Sequence, residues 1–227
     1  SGGGERDAWA ARLLASGDLG SIRVLAFMDH ALLREEETQE HMTAAEAQEA
    51  GEEYDEHVWT SPRNVILLTE ALRDALAELD PAHAEDYRAN AEAYIRKLEA
   101  LDGELRTLAK TSVRDLLVVG DRFPFLYLVR EYGLSYEAAF PGCSEESDAD
   151  PATVAHLIDT VKTGGIPVVF KCELSPGKLA DTIAEATGAK VRTLYSAHTL
   201  SKEDFEAGET YLSLMERNLE AMREALN

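Results

Sequence analysis

Cysteine, basic charge and long apolar runs are all scarce in this sequence, and each scarcity narrows what the chain does. Only Cys143 and Cys172 are present, at a spacing unlike a paired-thiolate zinc site. Both follow expected neighbouring strands, so a disulfide in an oxidising compartment and two buried free thiols both stay open. No apolar run approaches the roughly 20 residues that span a bilayer, and no basic leader precedes an apolar stretch, so the chain reads as mature or trimmed. Lys plus Arg number 22 against 43 Asp plus Glu, for a formal net charge of −21. Such a surface repels phosphate backbones and anionic membranes and draws cations, which argues against nucleic acid as a partner. Nucleophile elbows, glycine-rich phosphate turns and H-E-x-x-H helices are absent too. Gly2 to Gly4 follow no strand and lack the Lys-Ser/Thr ending of a phosphate loop. No catalytic arrangement emerges, and the expectation is a protein that is not an enzyme.

What is present is an alternation of helix and strand. Residues 8–15 carry a short helical pattern and residues 22–27 an apolar strand pattern. Ser or Asp precedes proline at 61–62, 80–81, 150–151 and 175–176, the N-cap and N1 pairing that opens helices. Helices are expected over 62–78 and 81–109, then over 123–132, 151–163, 176–187 and 201–226. Strands are expected over 116–119, 136–140, 167–170 and 191–195. Continuous apolar runs such as Leu116 to Val119 suit strands buried on both faces, hence a parallel sheet wrapped by helices.

One short segment carries the chemistry. In DEHVWTSPRN, residues 55–64, a lone imidazole, His57, sits between carboxylates and a marked helix start. On local pattern it reads either as a metal ligand or as a helix-flanking histidine packed beside Trp59. The stretch before it, about 30–56, is crowded with carboxylates and carries His30 and His41; it is expected to be mobile. His83 and His156 fall on expected helices, as surface residues. Ligands of open parallel sheets collect at the carboxyl ends of the strands. That rule selects Gly120, Asp121 and Arg122, residues 141–145, Lys171 to Glu173, and Ser196 to His198. Imidazole and carboxylate donors of this kind suit Zn2+ and, with more oxygen, Mn2+.

DEHVWTSPRN resembles the D-x-H-V-W-x-S-P-x-N signature of the solute-binding subunits of zinc and manganese ABC transporters. GDRFPFLYLVREYGL, AAFPGCSEESDADPATVAHLIDTVK and PVVFKCELSPGKLADTIAEATGAKV resemble, in the same order, strand-helix units of that family's C-terminal lobe. The resemblance covers nearly the whole chain. It implies an α/β, two-lobed metal-binding-protein fold joined by a long backbone helix, with a complete parallel-sheet C-terminal lobe and an N-terminal lobe only partly present. The implied divisions are 1–60, an N-terminal remnant; 61–112, a helical region with the interlobe helix; and 113–227, the C-terminal lobe. The implied metal residues are His57, His198, Asp121 and Glu173, with Glu173 orienting a ligand rather than binding directly. The implied role is an extracytoplasmic, lipid-anchored subunit that captures Zn2+, or alternatively Mn2+, for an ABC permease. At the first C-lobe loop the chain departs from the pattern. Arg122 stands at the ligand position, and a guanidinium does not coordinate a metal, so either Asp121 takes that role or Arg122 organises neighbouring carboxylates by ion pairing; the alternative for Asp121 is a cap on the helix that follows. Arg122 and Lys171 also motivate an alternative, an adhesion or interaction protein with a degenerate site. An unpaired edge on strand 22–27 would favour self-association through the N-terminal remnant.

Overall fold

The computed structural model describes residues 8–17, 22–37, 39, 54–142 and 149–227. Its elements are α1 (Ala8–Ser16), α2 (Pro62–Leu79), α3 (Ala84–Thr111), β1 (Leu116–Arg122), α4 (Leu126–Tyr132), β2 (Ser135–Phe140), α5 (Pro151–Gly164), β3 (Val168–Cys172), α6 (Lys178–Thr187), β4 (Lys190–Leu194), α7 (Lys202–Glu206) and α8 (Tyr211–Leu226). Short 3-10 turns cover Phe27–His30, Val58–Thr60 and Pro81–His83.

The four strands form one parallel sheet in the order β2-β1-β3-β4. Alternation within β1 sends Leu117 and Val119 to one face and Val118 to the other. The first face packs on Leu101 and Leu105 of α3 and on Met215, Leu219 and Met222 of α8. The second is covered by Leu157 and Val161 of α5 and by Ala180 and Ile183 of α6. Helices on both faces are what near-continuous apolar strands require. The 28-residue α3 extends roughly 42 Å at 1.5 Å per residue and lies against α2, α4 and α8. The chain leaves β1 for β2 on one side and returns to β3 on the other. The crevice beyond the carboxyl ends of β1 and β3 is therefore the topological switch point where open sheets bind ligands.

The packing at that crevice is close. A Cβ at Gly120 would meet the Ala180 Cα at 2.7 Å and the Ala180 nitrogen at 2.8 Å, both backbone atoms of α6. Gly120→Ala must push α6 away from β1. It is expected to destabilise the fold by about 1–3 kcal/mol, read as a lower midpoint in urea with an unchanged slope.

Several expectations are corrected. Residues 22–26 form no strand and 27–30 form a 3-10 turn. Ile22 and Val24 lie 56% and 53% exposed, with no neighbouring strand among the described residues, and apolar alternation without a partner does not make a strand. The edge that motivated self-association is therefore not formed. The expected terminal helix 201–226 is two helices, because Gly208 turns left-handed at φ +75°. Thr210 and Ser213 then start α8 anew with reciprocal caps. Of the Ser/Asp-Pro pairs, Ser61 and Asp150 cap α2 and α5 through their side chains. Asp80 opens only a 3-10 turn; its carboxylate engages His83 and Tyr87 instead. Ser175 accepts from the Gly177 N–H in a turn, and α6 begins at Lys178. The helix expected from 123 begins at Leu126, since Pro124 disfavours helical backbone at the residue before it.

Candidate metal centre

A cavity of about 540 Å³ opens at the switch point, and His57, Asp121, Glu173 and His198 all line it. Four separate segments converge there. His57 precedes the 3-10 turn Val58–Thr60, which Val58 anchors in a small core with Leu68 and Tyr127. Asp121 is the penultimate residue of β1, Glu173 follows β3, and His198 follows β4.

The two histidines approach with ring centroids 6.5 Å apart, and Trp59 stands 5.5 Å from His57 and 5.6 Å from His198. His57 is 6% exposed and His198 is open to solvent. His57 Nδ1 lies 3.1 Å from Asp55 Oδ1.

Both carboxylates are engaged by the protein itself. Asp121 Oδ1 accepts from the Arg122 N–H at 2.9 Å and Oδ2 from the Cys172 N–H at 3.2 Å. Asp121 therefore ties the end of β1 to the end of β3. It does not cap the following helix, one of the two roles the sequence left open. Glu173 accepts from the Ser196 N–H at 2.8 Å and from the Ser196 hydroxyl. Ser196 Oγ in turn accepts from the His198 N–H at 3.2 Å, and the Ser196 carbonyl accepts from the Trp59 indole at 2.8 Å. Ser196 thus joins the loops bearing Glu173, His198 and the His57 turn, a part no sequence pattern announced. Leu174 and Ala197, the non-glycine residues with positive φ among those described, at +60° and +57°, lie in the two loops that Glu173 and Ser196 join. Strained backbone held in place around one cavity is a recurrent feature of functional sites.

Among the described residues no group of three or more His, Cys, Asp or Glu side chains converges to hold a metal ion. The arrangement offers two imidazoles and two carboxylates already in use. The basic residues separate: Arg122 lines the cavity, whereas Lys171 donates its Nζ to the Ser175 carbonyl at 3.0 Å. Cys172 donates its thiol to the Arg122 carbonyl at 3.3 Å, and burial raises its pKa, so it stays a thiol. Cys143, His41 and most of the acidic stretch lie outside the described residues. The ends of that stretch are held: Asp55 N–H bonds Arg34 O at 2.9 Å, and Arg130 Nε bonds the two Glu37 oxygens at 2.9 and 3.1 Å. His83 and His156 lie on the surface, beside Asp80 and Glu137.

Comparison with known proteins gives the site its context. The zinc-binding lipoprotein AdcA of Streptococcus pneumoniae is 33% identical over 221 residues, covering 96% of this chain and 43% of that protein. The iron-binding protein YfeA of Yersinia pestis is 35% identical over 167 residues, 73% of this chain and 53% of that one. The chain spans less than half the length of the streptococcal relatives. The crystal structure of the Zn(II)-bound ZnuA-like domain of S. pneumoniae AdcA superposes with a TM-score of 0.76 at 30% identity, over 97% of this chain and 76% of that one. The laminin-binding protein Lbp of Streptococcus pyogenes superposes at 0.65 and 28% identity, over 77% and 65%. A family model described as ZnuA, zinc-uptake complex component A, periplasmic, matches residues 1–225. With that match and a parallel α/β sheet of the same architecture, the chain belongs to the ZnuA family of zinc-uptake solute-binding proteins.

Proposed function

We propose that this chain captures Zn2+ outside the cytoplasm for delivery to an ABC permease, as a carrier rather than an enzyme. The observation that supports this best is the pairing of His57 with His198 in one cavity at the switch point, 6.5 Å between ring centroids. Two neutral imidazoles favour zinc over manganese, which prefers oxygen, and the nearby oxygens of Asp121 and Glu173 are engaged by Cys172 and Ser196. The remaining coordination positions fall to water, or to those carboxylates once released. The net charge of −21 supports cation recruitment. The relatives named for zinc binding and as lipoproteins point the same way, and lipid anchoring of the full-length protein belongs to this reading. The divisions at 60 and 112 are kept as part of it, since the long α3 forms the link.

The adhesion alternative rested on two basic groups at the site. Lys171 is committed to Ser175, so only Arg122 still favours it. The proposal is tested by titrating the protein with Zn2+ and Mn2+ in a calorimeter and following thermal unfolding alongside. Zinc at 100 times its Kd is expected to add about 2.7 kcal/mol of stability, with a smaller gain from manganese. No stabilisation by either cation would sink the carrier reading.

A further inference from the structure

We infer that Asp55 is a positioning residue for metal capture: its carboxylate fixes the tautomer and orientation of His57, so that Nε2 is the nitrogen presented to the cation. The inference rests on the reading of His57 as a donor, and its argument is geometric. Asp55 Oδ1 accepts from the His57 backbone N–H at 2.7 Å and stands 3.1 Å from His57 Nδ1. A carboxylate only accepts, so Nδ1 carries the hydrogen and the lone pair of the neutral ring resides on Nε2. The pair is buried, Asp55 at 3% and His57 at 6% exposure. A buried carboxylate is costly unless its bonds are well made.

The carboxylate is itself firmly backed. The Asp55 N–H bonds Arg34 O at 2.9 Å, and its carbonyl accepts from the Tyr127 hydroxyl at 2.7 Å. Tyr127 is 1% exposed on α4 and accepts from the Arg34 N–H at 3.1 Å through the same oxygen. Burial pushes its pKa up to about 12, so the hydroxyl remains a donor. On the other side, Gly142 lets the turn after β2 close down: a Cβ there would lie 3.0 Å from Phe123 O and 3.5 Å from Asp55 Oδ2. Asp55 therefore has a fixed place relative to α4 and β2, and it passes that place on to the imidazole. Groups that hold a ligand histidine in this way typically change metal affinity by about 10- to 100-fold when removed.

The test uses 15N NMR of the metal-free, histidine-labelled protein together with zinc calorimetry, with the His57 signals assigned by their loss in His57→Gln. The parent is expected to show Nδ1–H at His57. Asp55→Ala is expected to move that ring toward Nε2–H and to lower zinc affinity by about 10- to 100-fold. Asp55→Asn, whose amide oxygen can still accept from Nδ1–H, is expected to fall between the two and decides the matter alone if Asp55→Ala does not fold. A parent already in the Nε2–H form, or a folded variant with parental tautomer and affinity, would overturn the inference while leaving the carrier reading intact. A parent that holds Nδ1–H yet binds no zinc would overturn the carrier reading and this inference with it.

Discussion

His57→Ala is expected to weaken zinc binding by at least ~100-fold, more than the loss of a group that merely orients a ligand. His57 is a buried imidazole at the cavity wall, its Nδ1 spent on Asp55. Removing it also leaves the Asp55 carboxylate with one partner fewer in a buried setting, which costs about 1–3 kcal/mol. Calorimetry on the folded variant separates the two effects, because the stability loss appears without metal and the affinity loss only with it. His198→Ala is the companion: the same direction in affinity, but little change in stability, since this side chain is exposed. An unchanged zinc affinity in His57→Ala would remove His57 from the site and move attention to the carboxylates.

The largest effect on stability is expected from replacing Asn218, as in Asn218→Ala. Asn218 is fully buried on α8. Its Oδ1 accepts from the Tyr195 N–H and its Nδ2 donates to the Tyr195 carbonyl, both at 2.7 Å. One side-chain amide thus serves the end of β4 as a neighbouring strand would. Alanine strands a donor and an acceptor in the interior, each at about 1–3 kcal/mol. In a chain of this size the two together correspond to a melting temperature lower by about 4–24 °C. Asn218→Asp keeps the acceptor but sets a buried carboxylate oxygen against the Tyr195 carbonyl, so it is expected to destabilise at least as much as alanine. Because Tyr195 precedes Ser196, the variant should also loosen the loop that carries Glu173, Trp59 and His198 contacts. An unchanged melt would mean that water replaces the amide.

Legibility varied with how local the signal was. The expected strands 116–119, 136–140, 167–170 and 191–195 coincide with β1 to β4 to within three residues at every end, because apolar runs and turn residues act over short windows. Ser61 and Asp150 cap their helices as their positions before proline predict. The same pattern failed at 80–81 and 175–176, where Asp80 found Tyr87 and Ser175 found Gly177. A cap is a competition among nearby acceptors and donors, and dipeptide identity does not decide it. Residues 22–27 failed for a related reason: strand propensity expresses itself only where a neighbour supplies the ladder.

At the site, the D-x-H spacing that sets Asp55 against His57 is visible in the sequence, but the contact of Asp55 with His57 Nδ1 is made only in the fold. Lys171 reads as a cation beside the cavity until its Nζ is seen on Ser175. The sequence by itself determined the helix-strand alternation, the parallel sheet, the family and the four cavity-lining residues, because each is encoded in short-range patterning or in strand ends. Only the tertiary structure decided that Asp121 and Glu173 are bound by Cys172 and Ser196, that His57 and His198 approach each other, and that Asn218 closes β4. Those are partnerships between residues far apart in sequence, and which one forms depends on how the loops at the ends of β1, β3 and β4 pack when the sheet closes.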